Sequence, residues 1–272
     1  MPLPILVYHS VDETCAPDYR RWAVSPERFK RQLDLLRDRG CRPVTMAEVG
    51  ASLLAGTPLP EGSVAITFDD GLADFQDGAL PLLERYGFAS TLFVTTGHVD
   101  ATAAWLGPIG EGGRRMMTWA EIARLPERNV ECGAHTHSHP ELDILPPAAF
   151  KREIRLSKAL LEEHLARQVV SFAYPHGYHT DAVAAEVEAA GFLSACSVGS
   201  GNGRFGLQRF IVEEGTSDAK LHAYLDGRLQ ARASQLPQWA MSTLRVGWRE
   251  YRRVLAPRHS LNQPPPSPKA GA

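Results

Sequence analysis

Apolar residues recur along the chain in two alternating rhythms. Short runs such as Ile5-Leu6-Val7-Tyr8, Val64-Ala65-Ile66 with Phe68, and Thr91-Leu92-Phe93-Val94 are bounded by glycine, proline or polar residues. Unbroken apolar runs of that length fit strands buried on both faces of a parallel sheet. Between them the spacing turns helical. Phe29, Leu33 and Leu36 follow Ser25-Pro26, an N-cap with proline at the first helical position, and precede Gly40. Thr45 with Glu48 and Thr118 with Glu121 have capping-box spacing and mark two more helix starts. A helix through Leu80, Leu82 and Leu83 ends at Gly87-Phe88, and the same glycine-aromatic join returns at Gly191-Phe192. Phe150, Ile154, Leu161 and Leu165 line one side of a longer amphipathic helix. Further strands are predicted at 41–45, 130–134, 169–174 and 195–198. About seven or eight β units separated by helices predict a closed or nearly closed parallel barrel. The alternative is an open doubly wound sheet, but no GxGxxG turn is present.

Composition narrows this little. A chain of 272 residues, 44% hydrophobic, suits one large α/β domain or two small ones. The net charge of -2 supplies no field for nucleic acid. The four cysteines are scattered without a CxxC pair, which argues against a zinc ribbon or a disulfide framework. No basic region followed by an apolar core opens the sequence, so a cytoplasmic location is expected.

Chemistry concentrates at two predicted strand ends. The run ending at Phe68 breaks into Asp69-Asp70-Gly71. Adjacent carboxylates raise each other's proton affinity unless a cation neutralises one, so the pair calls for a metal or a shared proton. The plainer alternative has Asp70 capping a helix that starts near Leu72. The run 130–134 leads into His135-Thr136-His137-Ser138-His139. Histidines four apart can aim two imidazoles at one point, and with an aspartate they form a His2Asp set with a position left for water. The alternative is an exposed histidine-rich loop with incidental metal affinity.

These residues resemble the first two motifs of the polysaccharide deacetylase (NodB-like, carbohydrate esterase 4) family: Thr67-Phe68-Asp69-Asp70, then Gly133-Ala134-His135-Thr136 with His139-Pro140. Phe172-Ala173-Tyr174-Pro175-His176-Gly177 stands in the place of the third motif, and Val7-Tyr8-His9-Ser10 resembles the family's first strand. The resemblance implies a deformed (β/α)7 barrel, a divalent metal, most often zinc, and hydrolytic N- or O-deacetylation of a sugar or glycan. It makes Asp69 the general base, Asp70, His135 and His139 the metal ligands, and Tyr174 a donor to the oxyanion. Three family features are missing, one of them an aspartate-rich motif with tryptophan, which is not visible near Ser197. Ala173 replaces an arginine that orients the base, and Leu207-Gln208-Arg209-Phe210 lacks the late histidine that protonates the leaving amine. His9, His98 and His176 are substitute acids, each of which can equally be structural. Arg209 can orient a carboxylate or bridge to Glu213 or Glu214. Those losses keep a second reading open, a metal- and sugar-binding barrel acting as a scaffold without turnover.

The resemblance fades past about residue 216, so the barrel is expected over 1–216. Residues 217–261 form an expected basic helical extension in which Leu244, Trp248, Tyr251 and Leu255 share one face and Arg245, Arg249 and Arg252 another. Such a helix packs on the barrel or lies on an anionic membrane surface, giving a peripheral membrane contact beside the carbohydrate partner. The proline-rich 262–272 is expected to be disordered. Trp22, Trp105 and Trp119 are sugar platforms or packing residues.

Overall fold

Strands whose successive side chains point to opposite faces, both apolar, must lie between two layers, and the architecture follows from that. The computed structural model describes residues 3–198, 201 and 203–229. Its first half contains β1 (Ile5–Tyr8), β2 (Ser10–Val11), β3 (Ala23–Val24), α1 (Pro26–Asp38), β4 (Arg42–Val44), α2 (Met46–Ala55), β5 (Ser63–Phe68), α3 (Leu80–Tyr86) and β6 (Ser90–Val94). Then come α4 (Trp119–Ile122), β7 (Val130–Ala134), α5 (Pro147–Leu165), β8 (Ser171–Ala173), α6 (Asp181–Ala189), β9 (Ser194–Ser197), β10 (Leu207–Gln208), β11 (Phe210–Ile211) and α7 (Asp218–Leu225).

The strands pair in parallel from β1 through β5, β6, β7 and β8 to β9. The last strand completes the ring in two halves: β10 pairs with β9 and β11 with β1, and only Arg209 separates them. The result is the nearly closed parallel barrel expected. Inside, Ile5, Ala65, Phe93, Ala173 and Cys196 form a cluster closed at the strands' N-terminal end by Met46 and Val49 of α2. Outside, Leu6, Ile66, Leu92 and Phe172 pack against Leu33, Leu80, Ile154 and Val187 of the surrounding helices. Both capping boxes form, and Ser25 caps α1.

Three details differ from the periodicity. After Asp70-Gly71 no helix begins near Leu72. The chain passes through a five-residue π-helix, Phe75–Ala79, before α3 starts at Leu80. Asp70 is therefore not a helix cap. The helix opened by Thr118 stops after four residues. Finally, α7 buries Leu221, and the Tyr224 hydroxyl bonds both backbone groups of Ile5, which ties residues beyond 216 to β1.

The chain divides into two units, Met1–Gln235 and Leu236–Ala272. The second lies outside the described residues, as do the stripe of Leu244, Trp248, Tyr251 and Leu255 and the proline-rich tail. Among the described residues, no helix is long and apolar enough to cross a membrane. The four cysteines are free thiols, Cys132 and Cys196 of them buried.

Candidate active site

Asp69 follows β5 and keeps its ladder bond, donating its N–H to Tyr8 O at 3.0 Å. The backbone then turns left-handed at Asp70 (φ 79°) and Gly71 (φ 87°). A side chain at Gly71 would make only ordinary contact with Val94, so what favours glycine there is the left-handed φ. The turn separates the two carboxylates.

Asp69 faces the barrel interior and is 4% exposed. Arg209, 1% exposed, grips both its oxygens, Nη1 to Oδ1 at 2.6 Å and Nη2 to Oδ2 at 2.7 Å. Burial works to raise the Asp69 pKa, but the Arg209 guanidinium, through its charge and its hydrogen bonds, leads the neighbours that reverse this and hold it below the usual carboxylate value. The choice left open for Arg209 is thereby resolved. Glu213 pairs with Arg21 and Glu214 with Arg28, while Arg209 occupies the orienting place that Ala173 leaves empty.

Asp70 turns instead toward the histidine loop. Its Oδ1 lies 3.2 Å from His139 Nε2 and 3.6 Å from His135 Nε2. One ligand atom from each of Asp70, His135 and His139 falls within 4.8 Å of the others. His135 Nδ1 sits 2.8 Å from Ala173 O. A carbonyl only accepts, so Nδ1 carries the hydrogen and the Nε2 lone pair is left facing Asp70. Burial pushes the His135 pKa down to about 4, which keeps its imidazole neutral and able to ligate. The donor set fits a divalent ion: two imidazoles, one carboxylate, and Asp69 held out of the cluster by Arg209. His137 is not part of it. Its Nδ1 meets Thr96 Oγ1 at 3.1 Å.

The other site residues divide. His9, directly after β1, acts electrostatically on both Asp69 and Asp70, packs 4.8 Å from the Trp22 ring, and has a buried Nδ1 with no partner. His176 adopts a left-handed backbone (φ 59°) and stands 4.9 Å from the His139 ring. Burial against the site, and then the neighbouring His139, push its pKa down, an effect that solvent screens because the residue is exposed by surface area. Trp105 stacks on His139 at 5.0 Å and meets His98 at 4.7 Å. Trp119 lies elsewhere, stacked on His164 of α5.

Tyr174 does not serve as the expected donor. Its N–H is spent in the sheet on Cys196 O at 3.0 Å, and its hydroxyl donates to Phe205 O at 2.9 Å. The residue still belongs to the β8 ladder, and the loop turns toward the site only at His176.

The segments carrying Trp22 and Trp105 are joined above the barrel by Arg114. Its side chain, 8% exposed, binds Asp74 at 2.5 Å, Asp12 and Glu111 at 3.1 Å, and Thr14 O at 2.9 Å. Periodicity could not reveal this junction, because 95–117 carries no regular apolar pattern.

The profile of the family described as polysaccharide deacetylase matches residues 56–195, which contain Asp69, Asp70, His135 and His139. The chain belongs to the polysaccharide deacetylase family. Among relatives of this deacetylase is YxkH of Bacillus subtilis (strain 168), whose name assigns it to the polysaccharide deacetylases. It is 26% identical over 229 residues, covering 82% of this chain and 76% of YxkH. The poly-beta-1,6-N-acetyl-D-glucosamine N-deacetylase of Escherichia coli (strain K12) is 26% identical over 201 residues, 62% of this chain but only 30% of that protein. In fold, the deacetylase matches Streptococcus pyogenes deacetylase PplD with a TM-score of 0.71 at 24% identity, over 83% of this chain and 98% of PplD.

Proposed function

We propose that this carbohydrate deacetylase removes acetyl groups from N-acetylated glucosamine units of a glycan or glycan precursor, with zinc at Asp70, His135 and His139 and Asp69 as general base. The observation that carries the reading is the separation of roles within one dipeptide: Asp70 joins the two histidines, and Asp69 is reserved by Arg209. A bound divalent ion would polarise the acetyl carbonyl and acidify a water beside it. Asp69 then takes a proton from the attacking water as the C–O bond forms, and Arg209 keeps its carboxylate ionised and correctly turned. When the C–N bond breaks, the amine requires a proton, and acetate and a free amino sugar leave. His9 is our candidate for that donor, because it acts electrostatically on both Asp69 and Asp70 and its buried Nδ1 has no hydrogen-bond partner. His176 borders the His139 side of the site. The choice of N-acetylglucosamine rests on the substrate named for the Escherichia coli relative.

The scaffold-only alternative drew its support from the missing orienting arginine and the missing late histidine; Arg209 answers the first, and the acetate-release assay decides the second. Cytoplasmic location stands as a further proposal, to be tested by cell fractionation, as does a membrane contact through 217–261, which sedimentation of the full chain with anionic vesicles at low salt would test. The function itself is tested by acetate release from β-linked N-acetylglucosamine oligomers, before and after chelation and zinc return. Activity that survives complete metal removal, or a chain that binds zinc yet releases no acetate from any N-acetylated sugar, would overturn it. His9→Ala should lower kcat more than His176→Ala does, and the reverse order would move the donor to His176.

A further inference from the structure

The segment between the two histidine ligands is strained and pinned from both sides. Thr136 (φ 66°) and His139 (φ 60°) hold left-handed backbone, which a β-branched residue such as Thr136 rarely adopts. Such conformations persist only where the surroundings over-determine them. On one side the 95–98 turn does this: Thr96 N donates to Thr136 O at 3.2 Å and Gly97 N to His137 O at 2.7 Å. Any side chain at Gly97 would come within 2.6 Å of that carbonyl. On the other side stands a single carboxylate from α5. Glu153 Oε2 accepts from two successive amides, His137 N at 2.9 Å and Ser138 N at 2.7 Å, and Oε1 accepts from Ser138 Oγ at 2.8 Å.

We propose that Glu153 is a positioning residue for the metal centre, holding the 136–138 backbone so that His135 and His139 converge with Asp70. It touches no candidate ligand side chain. Two successive N–H groups converging on one anionic oxygen form a short nest, and charge-assisted bonds of this kind are stronger than neutral ones. Released from it, the loop would let Thr136 and His139 relax toward ordinary backbone angles and carry the His139 ring away from Asp70. The Thr136 hydroxyl, which accepts from His139 N at 3.1 Å, moves with the same segment and so cannot anchor it. The inference rests on the metal-site reading above and adds to it a residue outside every motif that pointed to that site.

The test reads zinc affinity by competition with a chromophoric chelator, together with the melting temperature of the metal-free chain. Glu153→Leu should weaken zinc binding by about 10- to 100-fold, the usual loss for a residue that orients a ligand. Glu153→Gln should fall between, because its carbonyl oxygen can still accept both amides. Glu162→Gln serves as the control. That residue is another α5 carboxylate, accepting from Val169 N at 3.0 Å, and its loss should leave zinc affinity unchanged. A lower melting temperature with wild-type zinc affinity would reduce Glu153 to a structural anchor and overturn the inference while leaving the metal site intact. Failure of the unaltered chain to bind zinc would overturn both. Should the leucine variant not fold, the glutamine variant decides: reduced affinity supports the inference, wild-type affinity refutes it.

Discussion

Arg209 and Asp69 meet through two parallel bonds of 2.6 and 2.7 Å in the barrel interior, 140 residues apart in sequence. The guanidinium belongs to the one residue that separates β10 from β11, so the seam closing the barrel also orients the proposed base. Removing one partner of such a pair leaves an uncompensated buried charge.

Arg209→Met should therefore destabilise the fold by about 3–5 kcal/mol and nearly abolish activity. The direction with pH is determined. A carboxylate whose folded pKa is lowered stabilises the fold above its unfolded pKa, and that contribution is lost as pH falls through the folded value. Without Arg209, the largest of the influences that oppose burial is lost and the Asp69 pKa rises, so the acid limb of kcat/KM should move to higher pH. Denaturant unfolding and a pH–rate profile check both, and an unmoved acid limb would detach Arg209 from the base.

The adjacent acids should respond differently. Asp69→Asn is expected to retain metal while losing about two to four orders of magnitude in deacetylation, the range for a general base. Asp70→Asn should lose metal. Metal analysis paired with acetate release reads the two variants, and metal loss in Asp69→Asn alone would reverse the assignment.

Histidines in the same loop also part company. His135→Ala should abolish tight metal binding, whereas His137→Ala should leave stoichiometry near that of the unaltered chain, because His137 turns to Thr96. Equal stoichiometry in the two variants would show that the ligand set is wrong.

Arg114→Met leaves Asp12, Asp74 and Glu111 without their shared cation and removes one tie between the segments bearing Trp22 and Trp105, which also share an apolar cluster. It should raise KM for a glucosamine oligomer more than it lowers kcat, since Arg114 is a joint between walls and not part of the cluster of reacting groups. Steady-state kinetics decide this, and a loss confined to kcat would contradict it.

Local rules carried much of this protein. Unbroken apolar runs such as Val64-Ala65-Ile66 could only be strands covered on both faces, and Thr45 with Glu48 caps α2 through bonds between near neighbours. Asp69-Asp70 and His135 to His139 were legible as a metal cluster because each group is contiguous and the polar residues interrupt an apolar pattern. What involved partners far apart in the chain was not legible. Tyr174 looked like a donor from its motif, but whether an N–H is free depends on the neighbouring strand, and Cys196 O takes it. Arg209 and Glu153 lie on a strand seam and a helix face, positions where a charged residue ordinarily meets solvent or a near neighbour. Only closure of the barrel brings Arg209 to Asp69, and only the packing of α5 brings Glu153 under the histidine loop. Hydrogen bonds and ion pairs act over a few ångströms of space, and separation along the chain carries no information about which distant groups the folded backbone will set that close.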